Sequence, residues 1–112
     1  MAKLKGHRPP PGMNAGLMER LARLQDEMRQ VQDQLAQERL TVQAGGGAVT
    51  VVIDGRQRLH RIEIAPEALA SGDREMLQDL LVVALNNALE RSQTLAAERL
   101  QGLNAGLGLP GL

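Results

Sequence analysis

Residues 40–64 read LTVQAGGGAVTVVIDGRQRLHRIEI, and their pattern determines the expected fold class. Its apolar residues alternate with residues of other character in three short runs, which is the period of half-buried strands. They are Leu40, Val42 and Ala44, then Val49, Val51 and Ile53, then Ile62 and Ile64. Glycines at 45–47 separate the first two runs, and Asp54 with Gly55 begins the second turn. The stretch therefore predicts a three-stranded antiparallel meander.

A long helix is predicted before this meander, from about Asn14 to Leu40. Its apolar residues are spaced by three and four positions, which is the heptad spacing of a narrow apolar stripe on an otherwise polar helix. The stripe is formed by Leu17, Leu21, Leu24, Met28, Val31 and Leu35.

A second long helix is predicted after the meander. Pro66 closes the third strand, and residues 71–73 (Ser-Gly-Asp) open the helix, which is expected to end near Leu100. Its expected buried side is formed by Met76, Leu77, Leu80, Leu81, Ala84, Ala88 and Leu95. The predicted organisation is thus a flexible basic arm at 1–13, one α+β domain at 14–101 and a Gly/Leu-rich tail at 102–112.

The two predicted helices are longer than the sheet on which they rest. About 27 helical residues span roughly 40 Å, whereas a six-residue strand spans only ~20 Å. An apolar stripe left in water costs about 1.5–3 kcal/mol for each large side chain. Pairing of the two helices with each other or with another chain would cover the stripe, and we expect a symmetric homodimer.

Composition excludes several classes of function. The chain has no cysteine, no leading apolar stretch and no run long enough to span a membrane, so we expect a cytoplasmic protein with no membrane partner. It also lacks Phe, Tyr and Trp, the usual groups on which single-stranded nucleic acids stack. The net charge is zero, but residues 1–61 carry ten basic and six acidic side chains, a net of +4, and residues 62–112 a net of −4.

The basic side chains of the first half form three candidate groups for binding DNA phosphates. Arg56, Arg58 and Arg61 are the densest, and no acidic residue lies between Gly55 and Ile62. An edge strand protected by charge explains this group equally well. The second group is Arg20, Arg23 and Arg29 on the first helix, which a solvated face with pairs such as Glu19 and Arg23 also explains. The third group is Lys3, Lys5 and Arg8 in the arm, which a solvated chain terminus without a role explains equally well.

The whole pattern resembles the YbaB/EbfC family of bacterial nucleoid-associated proteins. The resemblance rests on the residues 49–55 (VTVVIDG), 62–66 (IEIAP) and 73–80 (DREMLQDL), followed by Asn86, Asn87 and Ala88 and by a final GLPG at 108–111. It implies an α-β-β-β-α protomer and a tweezer-like homodimer that binds double-stranded DNA in the nucleoid. It also implies a connection to recombination and repair. The arm at Lys3 to Pro11 does not belong to the shared pattern.

Catalysis is not expected from this sequence. The two histidines, His7 and His60, and the two serines, Ser71 and Ser92, do not form a recognisable constellation. We therefore predict no enzyme activity, no metal, no cofactor and no small-molecule substrate. The alternative to DNA binding is a non-enzymatic protein-interaction module, a helical dimer or adaptor linked to recombination or repair.

Overall fold

A computed structural model of the protein describes residues 15–106. Its elements are helix α1 (Ala15–Gln37), strands β1 (Leu40–Ala44), β2 (Val49–Ile53) and β3 (Leu59–Ile64), a short helix α2 (Pro66–Ala70) and the long helix α3 (Arg74–Gly106). The order confirms the predicted α+β fold with a helix, three strands and a long helix. The basic arm predicted at 1–13 and the last part of the tail, from residue 107, lie outside the described residues.

The three strands form an antiparallel sheet in the order β1-β2-β3, as the alternation predicts. The register places Val42 opposite Val51 and Val51 opposite Ile62, so these apolar side chains share one face of the sheet. The turn from β1 to β2 contains Gly45, Gly46 and Gly47, all with positive φ angles of 66°, 67° and 99°. Glycine has no Cβ, and it therefore adopts this left-handed backbone at little cost.

The core lies between α3 and the two strands β1 and β2. Val49, Val51 and Ile53 of the central strand are fully buried, and so are Ala84 and Ala88 of α3. Because these two alanines are small, the helix can approach the sheet closely. Half-buried leucines surround them on α3, namely Leu77, Leu80, Leu81, Leu85 and Leu89.

The structure corrects several expectations about the helices. Strand β3 ends at Ile64, just before Pro66, as predicted, but residues Pro66–Ala70 then form a short helix α2 that the sequence did not predict. Pro66 occupies its first turn, where a missing N–H costs nothing. Helix α1 ends at Gln37, and α3 continues to Gly106 instead of ending near Leu100. Met76, expected on the buried side of α3, is 38% exposed.

Only the last turns of α1 are covered by the rest of the chain. Leu35 is buried, whereas Leu21 and Met28 of the same stripe are 45% and 43% exposed. The Cα radius of gyration is 22.5 Å, against about 13 Å for a compact chain of this length. The apolar stripe of α1 thus extends beyond the part of the protein that buries it, as the comparison of helix and strand lengths predicts.

A substitution at Gly55 tests the junction between α1 and the sheet. A Cβ at this position would lie 2.8 Å from the carbonyl oxygen of Leu35 and 3.0 Å from its Cα. Since backbone atoms cannot move aside cheaply, we expect Gly55→Ala to lower the free energy of unfolding by about 1–3 kcal/mol, which is a fall in Tm of roughly 4–8 °C for each kcal/mol.

The control for this prediction is Gly102→Ala in α3. A Cβ there meets nothing within 4 Å, and alanine is the better helix former by about 1 kcal/mol. Thermal unfolding of both variants at one protein concentration should show Gly55→Ala melting well below, and Gly102→Ala at or above, the unmodified protein. Equal Tm values for all three proteins would show that the close approach of Gly55 to Leu35 is absent.

Candidate nucleic-acid interface

The densest predicted basic group lies on the hairpin between β2 and β3. We call residues 54–61 the arginine hairpin. The register shifts within it, because Val52 pairs with Arg61 and Ile53 pairs with Leu59. His60 is therefore an extra residue on β3, a bulge that re-aims its side chain.

Asp54 organises the arginine hairpin from inside. Its side chain is only 4% exposed, and its Oδ1 accepts hydrogen bonds from the backbone N–H of Arg56 at 2.7 Å and of Arg58 at 3.1 Å. Its Oδ2 lies 2.9 Å from Nε2 of His60. The carboxylate thus satisfies three donors, and the acidic charge of the hairpin is turned away from solvent.

The pKa of the Asp54 carboxyl reflects these contacts. Burial on its own raises the pKa, but the hydrogen bonds from His60 and from the amides of Arg58 and Arg56, with the charge of His60, outweigh it. The pKa therefore lies below its ordinary value of 3.8. Because the pKa is lowered by folding, the carboxylate stabilises the hairpin at neutral pH and loses this effect as the pH falls through the lowered pKa.

Ser92 of α3 anchors the tip of the arginine hairpin. Its hydroxyl donates to the carbonyl oxygen of Asp54 at 2.7 Å and accepts from the backbone N–H and from Nε2 of Gln57, both at 3.0 Å. Gln57 has a positive φ of 63°, a backbone form that costs free energy in a residue other than glycine. The contacts to fully buried Ser92 maintain this conformation of Gln57. Gly55 adds a bond from its N–H to the carbonyl oxygen of Leu35, at 2.8 Å, and so connects the hairpin to α1.

The three arginines of the hairpin differ in how free their side chains are. Arg56 and Arg58 are exposed, and their guanidinium groups make no hydrogen bond or ion pair with any residue that the structure describes. Arg61 lies 3.8 Å from Glu63, with both side chains more than half exposed. An ion pair this exposed contributes little to stability, but it partly offsets the charge of Arg61. Arg56 and Arg58 are thus the cations of the hairpin most available to a ligand.

The candidate arginines of α1 lie on a helix that is not basic. Helix α1 carries three arginines and four acidic residues, a net charge of −1. Arg29 pairs with Asp26 at 3.5 Å, whereas the exposed Arg20 and Arg23 have no ion pair within the described part of the chain, not even the expected one with Glu19.

The structure does not bring the two groups of arginines into one cluster. Arg20 and Arg23 precede Leu35, the contact of α1 with the hairpin, by 12 to 15 residues, and this places them roughly 20 Å away along the helix axis. That distance matches about six phosphates along one strand of a duplex. Lys3, Lys5 and Arg8 lie outside the described residues.

Sequence reasoning found the arginines of the hairpin but missed the residues that hold them. Asp54 appeared only as a turn residue, and Ser92 only as a serine inside a helix. A signal was present, since Ser92 follows Ala84 and Ala88 at four-residue spacing and therefore lies on the buried stripe of α3. A hydroxyl buried on such a stripe needs a hydrogen-bond partner from another element.

Two features of residues 15–106 bear on other functions. No group of three or more His, Cys, Asp or Glu side chains within them could hold a metal ion. None of the described helices is both long and apolar enough to cross a membrane.

Comparison with known proteins gives consistent results. The family model described as the YbaB/EbfC DNA-binding family matches residues 10–107. A nucleoid-associated protein of Syntrophobacter fumaroxidans is 40% identical over 95 residues, which cover 85% of this chain and 86% of the relative. Another, from Chloroflexus aurantiacus, is 45% identical over 91 residues, which cover 81% of this chain and 91% of the relative.

The fold also has a counterpart among solved structures. The crystal structure of an uncharacterized protein from Helicobacter pylori matches with a TM-score of 0.67 at 24% identity. The match covers 77% of this chain and 91% of that one. At this identity the likeness shows a shared fold.

Proposed function

The chain belongs to the YbaB/EbfC DNA-binding family, and from this premise we propose that it binds duplex DNA as a homodimer, mainly through contacts to the phosphate backbone. The observation that carries the proposal is the arginine hairpin, which presents Arg56 and Arg58 unpaired while its acid, Asp54, is buried and hydrogen-bonded. The protein would act on the nucleoid in the cytoplasm, without catalysis, cofactor or small-molecule substrate.

The homodimer is supported by apolar side chains that a single chain leaves uncovered. Ile62 and Ile64 lie on the same face of the sheet as buried Val51 and Val49, their partners on β2, but are 45% and 37% exposed. The reason is that α3 packs against β1 and β2 and does not cover β3. Leu59, opposite Ile53, is 48% exposed as well. A second copy meeting this face would bury six large aliphatic side chains, each stabilising the pair by up to about 1.5–3 kcal/mol.

A two-fold dimer also doubles the cations available to DNA. Two copies of Arg56 and Arg58 supply four phosphate contacts, and the arginines of α1 can extend the contact along the duplex. Guanidinium groups bind phosphate oxygens strongly and with defined geometry. Because phosphates carry no base identity, binding through them positions the protein without reading sequence. The absence of aromatic side chains favours duplex over single-stranded DNA, since single strands are held largely by stacking.

Titration of duplex DNA with Arg56→Ala and Arg58→Ala tests the proposal. We expect each variant to bind every sequence more weakly, by a similar factor. We also expect the dependence of log K on log salt to flatten by nearly two units, because each substitution removes one contact from each of two protomers. Removal of the arm at 1–11 is expected to act in the same direction.

Arg74→Ala is the matched control for these substitutions. Arg74 is also exposed and has no ion pair among the described residues, but Asp73 and Glu75 flank it at the start of α3. The Arg74→Ala variant should bind DNA as tightly as the unmodified protein does. If both hairpin variants kept full affinity and salt dependence, the hairpin would not be the DNA-binding surface. The protein-interaction module would then be the better account if duplex binding were absent altogether.

A further inference from the structure

The arginine hairpin contains an acidic residue at the centre of a surface that, in the proposed function, binds an anion. We propose that Asp54 is a positioning residue for DNA binding, whose carboxylate folds the hairpin so that Arg56 and Arg58 are presented to phosphates. The inference rests on the proposed function, because it assigns to Asp54 a role that acts through those two arginines.

The hydrogen bonds of Asp54 go to the two arginines that are proposed to bind phosphates. Its Oδ1 accepts the backbone N–H of Arg56 and that of Arg58, and no other residue of the described chain donates to that atom. Gln57 lies between them, and its backbone N–H and its side-chain Nε2 donate to the hydroxyl of Ser92 instead. The carboxylate thus binds Arg56 and Arg58 of the turn, and Ser92 binds the residue between them. Arg56 and Arg58 are exposed on either side of Gln57, and their side chains make no such contact with Ser92.

The effect on binding follows from the cost of ordering side chains. A flexible hairpin would have to fix its backbone and its two long arginine side chains when DNA binds, and this ordering weakens affinity. In the observed hairpin the backbone is already fixed by five hydrogen bonds in which a backbone group of residues 54–58 pairs with Asp54 or Ser92. Only the arginine side chains then remain to be ordered when DNA binds.

Charge alone leads to the opposite expectation for this residue. Asp54 is a negative group among cations, so its removal would raise the affinity for DNA if long-range electrostatics were its only effect. A positioning role predicts a loss of affinity when the hydrogen-bond acceptor is removed, even though the net charge becomes more favourable. The two effects therefore differ in sign.

The decisive experiment compares Asp54→Ala with Asp54→Asn in duplex titrations at constant salt. Both variants lose the same charge, but the asparagine side-chain oxygen can still accept the N–H groups of Arg56 and Arg58. We expect Asp54→Ala to bind about five- to tenfold more weakly than Asp54→Asn, the effect of having to fix the backbone of about one residue on binding. Glu63→Gln, which removes an exposed acid beside Arg61, measures the effect of charge alone and should bind more tightly than the unmodified protein.

Ser92→Ala keeps the proposal testable if Asp54→Ala does not fold. It removes the anchor of Gln57 without changing any charge, and it should also weaken duplex binding while the protein remains folded by circular dichroism. Hydrogen exchange should show that the amides of Arg56 and Arg58 lose protection in Asp54→Ala but not in Asp54→Asn.

Each outcome decides a different point. Equal affinities of the alanine and asparagine variants, or full affinity of Ser92→Ala, would overturn the positioning role. These results are distinct from a failure of the proposed function, in which Arg56→Ala and Arg58→Ala would leave DNA binding unchanged.

Discussion

Replacing Ile62 by glutamate is expected to dissociate the proposed homodimer into monomers. Ile62 lies in the middle of β3 and is 45% exposed in the single chain, so a charged side chain there can reach water and the monomer should fold. In the proposed dimer the same position is covered by the second copy. An unpaired carboxylate buried in an apolar interface costs several kcal/mol.

A two-fold interface contains the substituted residue twice, and the dissociation constant should therefore rise by about a thousandfold or more. Sedimentation at micromolar concentration should then show a species near 12.1 kDa, the mass of one chain, and twice that mass for the unmodified protein. Affinity for duplex DNA should fall when the dimer dissociates, because a monomer carries half of the cations.

Gln43→Glu is the matched control for this substitution. It adds the same charge to an exposed position of β1 on the opposite face of the sheet, with almost no change in size. This variant should remain dimeric. If the unmodified chain sedimented only as a monomer, or if Ile62→Glu dimerised as tightly as Gln43→Glu, the dimer assigned to the β3 face would be wrong.

The strands and their order could be predicted because period and turn chemistry agree in residues 40–64. Alternation set the face of each residue, and Asp54 with Gly55 set the second turn, so the antiparallel meander followed from the local pattern. The ends of the helices were harder to predict from the sequence. The glycines from Gly102 onward predict a helix end near Leu100, yet one glycine costs only about 1 kcal/mol in a helix, and α3 continues past Gly102 to Gly106.

The geometry of the candidate site could not be predicted in the same way. The arginine hairpin was visible as a cluster of charge, but the contacts that hold it join Gln57 to Ser92, 35 positions apart, and Gly55 to Leu35. Local propensity carries no information on such pairs. The positive φ of Gln57 was equally hidden, because the residue type does not favour it and only the tertiary contacts maintain it.

The second large effect is expected when the salt concentration is raised, which should weaken the binding of duplex DNA. Two hairpins supply four phosphate contacts, and arginines of α1 bring the total to some four to six. Each contact releases condensed counterions, so log K should fall against log salt with a slope of about −4 to −5. Affinity for duplex DNA should therefore drop roughly a few hundredfold between about 50 and about 200 mM salt. A protein that read bases through neutral hydrogen bonds would lose far less.

Binding to the phosphates of duplex DNA is tested by this titration, made with the unmodified protein freed of nucleic acid. One duplex and one single strand of the same sequence should be titrated at both salt concentrations. We expect duplex binding at low salt, weaker binding of the single strand, and the fall of a few hundredfold for the duplex at the higher salt. Absence of duplex binding at about 50 mM salt, where phosphate contacts are strong, or an affinity that does not change between the two concentrations, would contradict the account.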